Sequence, residues 1–97
     1  MAAREIIWSR EAKVDLYTIL DYYKKKGSAG YGNELNSRVN KSLHKIAKHP
    51  LKGNETALPS VRTMNSEDCQ IIYEIFDKQI LVVMLCDHCR NNNENCW

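Results

Sequence analysis

A stretch of strand-forming residues between positions 69 and 86 constrains the fold of this chain more than any other segment. Two runs rich in Ile, Val, Tyr and Phe flank a short polar pair, Asp77 and Lys78, and this arrangement predicts a β-hairpin. The second run, residues 80–86, contains no polar residue, so both of its faces should be covered. We therefore expect this run near the middle of a sheet on which other elements pack.

The length of the turn sets the register of this hairpin. If the loop consists of the polar pair alone, Tyr73 lies opposite Val82 and Cys69 lies opposite Cys86. A slip of one residue would turn every side chain to the other face, so this pairing can be tested directly. Asp-Lys is not a dipeptide that two-residue hairpin turns favour, and a longer loop stays open.

The first half of the chain predicts one strand and two helices. Residues 4–8 form a short apolar strand, and Ser9 follows as the N-cap of a helix over residues 10–25. Gly27 suits the left-handed conformation that ends many helices. A second amphipathic helix covers residues 31–48 and ends before a proline. Only residues 26–30 separate the two predicted helices, and so short a link makes them antiparallel neighbours.

The order of the elements defines the fold class. Residues 61–64 form a further short strand before the hairpin, so the order is strand, helix, helix and then strands. This predicts an α+β domain (β-α-α-β-β-β), in which an antiparallel helical hairpin packs on a small antiparallel sheet. We expect one domain over residues 1–90 and a flexible C-terminal tail over residues 91–97.

Composition narrows the function classes. Of 97 residues, 43% are hydrophobic and 27% are charged, as in a globular domain. A net charge of +2 is too small for a protein that coats nucleic acid, so any such contact needs local clustering. The longest apolar run is too short to cross a bilayer and the N-terminus lacks a signal peptide. We expect a cytoplasmic protein that does not contact a membrane.

Four cysteines lie in the last third of the chain, at positions 69, 86, 89 and 96. They include one Cys-x-x-Cys pair, whereas structural zinc sites usually combine two such pairs. We therefore expect no metal and no cofactor. The predicted register would allow a disulfide between Cys69 and Cys86, but a reducing cytoplasm favours free thiols.

The sequence resembles the RelE/ParE superfamily of toxins from type II toxin–antitoxin systems, of plasmid-stabilisation type. Five pieces carry the resemblance in the expected order, and together they cover nearly the whole chain. They are Ile6-Ile7-Trp8-Ser9 with the following helix to Tyr22-Tyr23, the second helix ending in His49-Pro50 with Gly53 after it, Val61-Arg62, Ile71-Ile72-Tyr73-Glu74-Ile75, and the apolar strand followed by Asp87 and Arg90.

This resemblance implies a growth-inhibiting toxin that a cognate antitoxin neutralises, in a heterotetramer or another assembly. It implies one of two targets. ParE-like members poison DNA gyrase, whereas RelE-like members cut mRNA on the ribosome without a metal, as mRNA interferases. The ending Asp87-x-x-Arg90 is more similar to ParE-like members.

The residues that could cleave RNA decide between these activities. Arg62, His88 and Arg90 are the candidate catalytic residues, because cleavage needs proton transfer and stabilisation of negative charge. Gln70 stands where RelE-like toxins carry an arginine, and the terminal aromatic of those toxins is missing here. We therefore favour a toxin that binds a protein target, with the nuclease as the alternative.

Each candidate also has a structural interpretation. Arg62 is equally consistent with a surface arginine that pairs with Glu74, and Arg90 with an ion pair to Asp87. A histidine at the end of a strand, such as His88, is commonly a hydrogen-bonded surface residue. Glu55 lies where some RNA-cleaving relatives have a catalytic glutamate, but a plain loop carboxylate explains it as well.

Two further sets of residues are candidates for contacts with partners. Lys48 and Lys52, with Arg62 and Arg90, are the candidate contacts to the target or to nucleic acid, and Arg38, Lys41 and Lys45 extend their basic face. The candidate antitoxin contacts are Tyr17, Leu20, Tyr22 and Tyr31. A solvated helix face and core packing are the respective structural alternatives.

Overall fold

A computed structural model describes residues 3–66 and 69–87, the side chain of residue 87 excepted. It contains five strands, two helices and one 3-10 turn. In chain order they are β1 Glu5–Trp8, α1 Arg10–Lys25, α2 Ala29–Lys48, the 3-10 turn Pro50–Lys52, β2 Asn54–Glu55, β3 Val61–Ser66, β4 Cys69–Ile75 and β5 Gln79–Asp87. The predicted α+β class with a helical hairpin on a sheet is confirmed. The expected tail over residues 91–97 lies outside the described residues.

The five strands form one mixed sheet in the order β1-β5-β4-β3-β2. β1 pairs with β5 in parallel, and all other neighbours are antiparallel. A tight turn cannot join parallel strands, and here residues 9–78, with both helices and strands β2 to β4, lie between β1 and β5. The strand predicted to lie inside the sheet is indeed an inner strand, because β5 has β1 on one side and β4 on the other.

Local signals set the bounds of the helices. The Ser9 hydroxyl accepts a hydrogen bond from the amide of Ala12 at 3.0 Å and so caps α1. Gly27 has φ 77°, the left-handed conformation that lets the chain turn into the next helix. α2 begins at Ala29, two residues earlier than predicted. The helices pack closely, since a Cβ placed on Gly32 would lie 3.5 Å from Leu20.

The core lies between the helical hairpin and one face of the sheet. The side chains of α1 and α2 at helical spacing meet alternate residues of β4 and β5. The largest fully buried side chains are Tyr73, Ile19, Leu35, Ile46, Ile71, Ile80, Val39, Val82 and Cys69. On the opposite face, Leu81 and Met84 of β5 are only half-buried. Of the described helices, neither is long and apolar enough to span a membrane.

The predicted hairpin register holds only near the turn. Tyr73 lies opposite Val82 as expected, but a β-bulge follows and shifts the pairing by one residue. Cys86 consequently lies opposite Gln70 rather than opposite Cys69. The predicted Cys69–Cys86 pairing is wrong for this reason. Since neighbouring strand residues point to opposite faces, the two thiols do not face each other, and no disulfide joins them.

The bulge directs backbone groups of β5 toward the start of α1. The Ser9 amide donates to Val82 O at 3.0 Å, and the Ser9 hydroxyl donates to Val83 O at 2.8 Å. The Leu85 amide donates to the Asp15 carboxylate at 3.1 Å. β1 ends at Trp8 and cannot supply these bonds. Ser9 therefore caps α1 and also donates hydrogen bonds to two backbone carbonyls in the irregular part of β5.

Replacing Ser9 with alanine should destabilise the fold. The change removes both the cap and the bond to Val83 O, so we expect unfolding free energy to fall by about 2 to 3 kcal/mol. Ser28 is the matched control, because it is the N-cap of α2 but makes no side-chain capping bond. Urea unfolding followed by circular dichroism should show a loss of at most about 0.5 kcal/mol for Ser28→Ala. Equal losses in both variants would contradict this role of Ser9.

Candidate target-binding site

Arg62 lies on the side of the sheet that faces the helices. It is paired with Tyr73, whereas Glu74 pairs with Val61 and so points to the other face. Glu74 instead accepts a hydrogen bond from the Ser60 hydroxyl at 3.3 Å. The proposed pairing of Arg62 with Glu74 is therefore not made.

The guanidinium of Arg62 binds main-chain carbonyls. Its Nη1 donates to Leu51 O at 3.1 Å and to Gly53 O at 3.0 Å. Its Nη2 lies 3.7 Å from the Glu55 carboxylate, which is itself largely exposed. The side chain of Arg62 is only 17% exposed, and its Nε is buried without a partner among the described residues. Arg62 thus stabilises the turn after α2 and presents little charge to solvent.

Tyr73 stabilises the same turn from inside the core. Its hydroxyl donates to Pro50 O at 2.6 Å and accepts from the Gly53 amide at 3.2 Å. Burial raises the pKa of Tyr73, although the Gly53 amide and the charge of Arg62 oppose that shift. The phenol therefore stays protonated and can donate. A side chain at Gly53 would collide with this hydroxyl and with Thr63 O, so the turn requires glycine.

The turn fixed in this way forms one wall of a groove of about 510 Å³, which we call the basic groove. Its floor and sides are apolar where Pro50, Leu51 and Ile75 line it. Its remaining lining residues are all basic: Arg4, Lys48, His49 and Lys52. Among the described residues, no acidic side chain lines the groove and none forms an ion pair with Lys48 or Lys52. The groove suits an anionic group attached to an apolar one.

Three elements bring the basic side chains of this groove together. Lys48 is the last residue of α2, and Lys52 ends the 3-10 turn. Arg4 directly precedes β1, and its amide donates to Ala47 O at 3.0 Å while its Nε donates to Phe76 O at 2.9 Å. Sequence reasoning proposed the two lysines but missed Arg4 and His49. For His49 a signal existed, since it lies one residue beyond Lys48.

The candidate antitoxin contacts divide into two kinds. Tyr17 is 74% exposed, and Val14 lies exposed one helical turn before it on α1. Tyr22 and Tyr31 are half-buried and pack edge-on against Tyr23, with ring centroids 5.1 and 4.6 Å from it. Leu20 is half-buried at the contact with α2. Only Tyr17 therefore combines a large apolar surface with high exposure.

Two candidate residues cannot be placed. His88 and Arg90 lie outside the described residues, and so does Cys89 of the Cys-x-x-Cys pair. Within residues 3–66 and 69–87 there is no group of three or more His, Cys, Asp or Glu side chains that could hold a metal ion.

The fold is that of small α+β proteins in which a helical hairpin covers a mixed sheet, and in this chain basic side chains gather where the second helix ends. A family model described as the ParE toxin of type II toxin–antitoxin system, parDE, matches residues 6–92. The chain belongs to this family and is a toxin of a type II toxin–antitoxin system. No curated protein sequence matches the chain significantly.

Solved structures share the fold at low sequence identity. The chromosomal ParDE toxin–antitoxin system of P. aeruginosa aligns with TM-score 0.74 and 18% identity, over 88% of this chain and 96% of that chain. The toxin–antitoxin complex RelBE2 of Mycobacterium tuberculosis gives 0.64 and 13%, over 89% and 99%. The E. coli DinJ-YafQ toxin–antitoxin complex gives 0.60 and 14%, over 92% and 97%. At such identities the likeness shows the fold alone.

The contacts of Arg62 predict that it contributes to stability. Arg62→Ala should lower the unfolding free energy by about 2 to 3 kcal/mol, because two carbonyls lose a charged donor. Lys52→Ala is the control in the same turn, and because its side chain is exposed we expect a change within about 0.5 kcal/mol. Thermal and urea unfolding would measure both. An Arg62→Ala protein as stable as the wild type would instead favour a free arginine available to a ligand.

Proposed function

We propose that this toxin inhibits growth by binding DNA gyrase through the basic groove, and that it does not cleave RNA. The observation that carries the proposal is the position of Arg62. Its guanidinium is occupied by the carbonyls of Leu51 and Gly53, so it is not placed to stabilise a phosphate in a reaction. Gln70, half-buried on β4, adds no positive charge to the sheet. Membership of the ParE family supports the same target.

The groove fits a protein segment better than a reaction centre. Its apolar lining gives an apolar side chain a place to bury, and its basic rim would pair with a carboxylate of the same segment. We therefore assign Lys48, Lys52, Arg4 and His49 as target contacts. Arg62 acts through the turn and is a positioning residue.

A gyrase assay tests this function. Purified toxin should block supercoiling and stimulate the cleavage complex, and Lys48→Ala/Lys52→Ala should need at least roughly tenfold more protein for the same effect. Lys13→Ala/Lys24→Ala is the control, because these exposed lysines lie on α1 and not in the groove. Normal supercoiling at saturating wild-type toxin would overturn the proposal.

One observation favours the second candidate function, a ribosome-dependent endoribonuclease. His49 lies in the groove beside three cations, and an imidazole is the side chain that enzymes use most often for proton transfer. In cells, DNA, RNA and protein synthesis should be followed separately after induction. Gyrase inhibition predicts that DNA synthesis stops first. If protein synthesis stops first with cut mRNA, and His49→Ala or His88→Ala/Arg90→Ala abolishes the cleavage, the nuclease is the correct function.

We also propose that a cognate antitoxin neutralises the toxin by binding the exposed patch of Val14 and Tyr17 on α1. Exposed aromatic residues are frequent anchors of protein interfaces, and this patch is the one place on α1 where two large apolar side chains are exposed one turn apart. An amphipathic antitoxin segment would bury them. Half-buried Leu20 lies one helical turn beyond Tyr17 and would extend this surface, and half-buried Tyr22 and Tyr31, near the turn between the helices, are further candidate contacts.

Removing the tyrosine should weaken this complex. Tyr17→Ala should raise the Kd for the antitoxin by roughly 30-fold, as for a central interface aromatic. Leu58→Ala is the control, because Leu58 is also exposed, at 62%, but lies in the loop before β3. Titration calorimetry with the protein of the neighbouring reading frame would measure both. Equal affinities for wild type and Tyr17→Ala would show that the antitoxin binds elsewhere.

A further inference from the structure

A line of lysines on α2 continues beyond the basic groove. Lys41, Lys45, Lys48 and Lys52 recur at intervals of three or four residues and are all exposed. The first three share one face of α2, and we call the four together the cationic ridge. None of them forms an ion pair with a described residue. The chain contains no acidic residue between Glu34 and Glu55, so nothing in this segment neutralises the ridge.

The neighbourhood of the ridge supplies neutral hydrogen-bond donors. Near its N-terminal end lies a hollow of about 250 Å³, and the described residues that line it are polar or basic: Arg38, Lys41, Ser42, Lys45, Asn65 and Ser66. Arg38 in this hollow pairs with Glu34 at 3.2 Å, so among the described residues it is the lysines whose charge has no acidic partner. Cations interspersed with serine and asparagine are the side chains that bind phosphate oxygens.

We propose that the cationic ridge binds the phosphate backbone of double-stranded DNA. Lys41 to Lys48 spans about two helical turns, or roughly 10 Å, which matches about three successive phosphates of one strand. Residues 38–52 contain no Phe, Tyr or Trp, the side chains on which unstacked bases stack over the largest area, so the ridge offers mainly charge. A cationic line of this kind favours a duplex over a single strand.

This inference goes beyond the proposed function, because it gives the toxin a ligand of its own. The ridge joins the groove at Lys48 and Lys52, which belong to both. A toxin bound to gyrase through the groove would then hold the DNA on which gyrase acts. Contacts with the phosphate backbone do not distinguish one base from another, so DNA binding should be independent of base sequence.

The test measures DNA binding by the toxin alone, without gyrase. Fluorescence anisotropy with a labelled duplex of about 20 base pairs should show binding. The logarithm of the association constant should fall with the logarithm of the salt concentration at a slope of about −3 to −4, as expected for up to four phosphate contacts. Lys41→Gln/Lys45→Gln should reduce that slope by about 2 and weaken binding at least roughly tenfold at low salt. Both lysines lie outside the groove lining.

The control is Lys13→Gln/Lys24→Gln. This variant removes the same amount of charge, but from α1. Lys24 lies in the last turn of α1 as Lys45 lies in the last turn of α2, so the two variants are matched. The control should bind DNA as the wild type does. Circular dichroism verifies that both variants fold. No duplex binding at low salt, or equal losses in both variants, would overturn the proposal.

Two competitors separate the alternatives. If the wild type binds an oligo-glutamate peptide but not the duplex, the ridge receives an acidic protein segment and the DNA proposal is wrong. Tighter binding of the single strand than of the duplex would overturn it as well. Gyrase inhibition is measured separately, so DNA binding without inhibition would reject the proposed target but not the ridge.

Discussion

The interaction on which the fold depends is the contact between the start of α1 and the irregular part of β5. There Ser9 donates hydrogen bonds to two consecutive carbonyls, those of Val82 and Val83, and the carboxylate of Asp15 accepts a hydrogen bond from the Leu85 amide. A buried backbone group left unpaired costs about 1 to 3 kcal/mol. These bonds pair the backbone groups at the bulge and so offset that cost in a strand that carries much of the core. Because β1 and β4 both pair with β5, the rest of the sheet follows from this contact.

The same contact explains where sequence reasoning succeeded and where it failed. The bounds of α1 and the register at Tyr73 depend on nearby residues, namely a cap, a periodic apolar face and a short turn, so they could be predicted. The shift that brings Gln70 opposite Cys86 depends on Ser9 and on Asp15, about 70 positions away. The apolar residues around the bulge, Val82-Val83-Met84, look the same as in a regular strand, and no local signal marks it.

The candidate site shows a similar division. Helical spacing was enough to place Lys48 near Lys52, because one chain segment contains both. Arg4 joins them only because β1 lies beside the hairpin turn, which is a property of the whole sheet. The role of Arg62 could not be predicted either. A strand arginine contacts phosphate or carbonyl according to which loop folds over it, and here the turn at Gly53 does so.

The two helices give the molecule two different outer surfaces. α1 exposes the apolar pair Val14 and Tyr17, whereas α2 exposes lysines, and the helices are antiparallel neighbours on the same side of the sheet. A partner that binds the apolar pair alone would leave the basic groove open. Neutralisation by coverage therefore requires a segment that crosses from α1 to α2, and that segment needs acidic residues where it meets the lysines. An antitoxin without them would have to act by distorting a well-packed core, which is far more costly than screening charge.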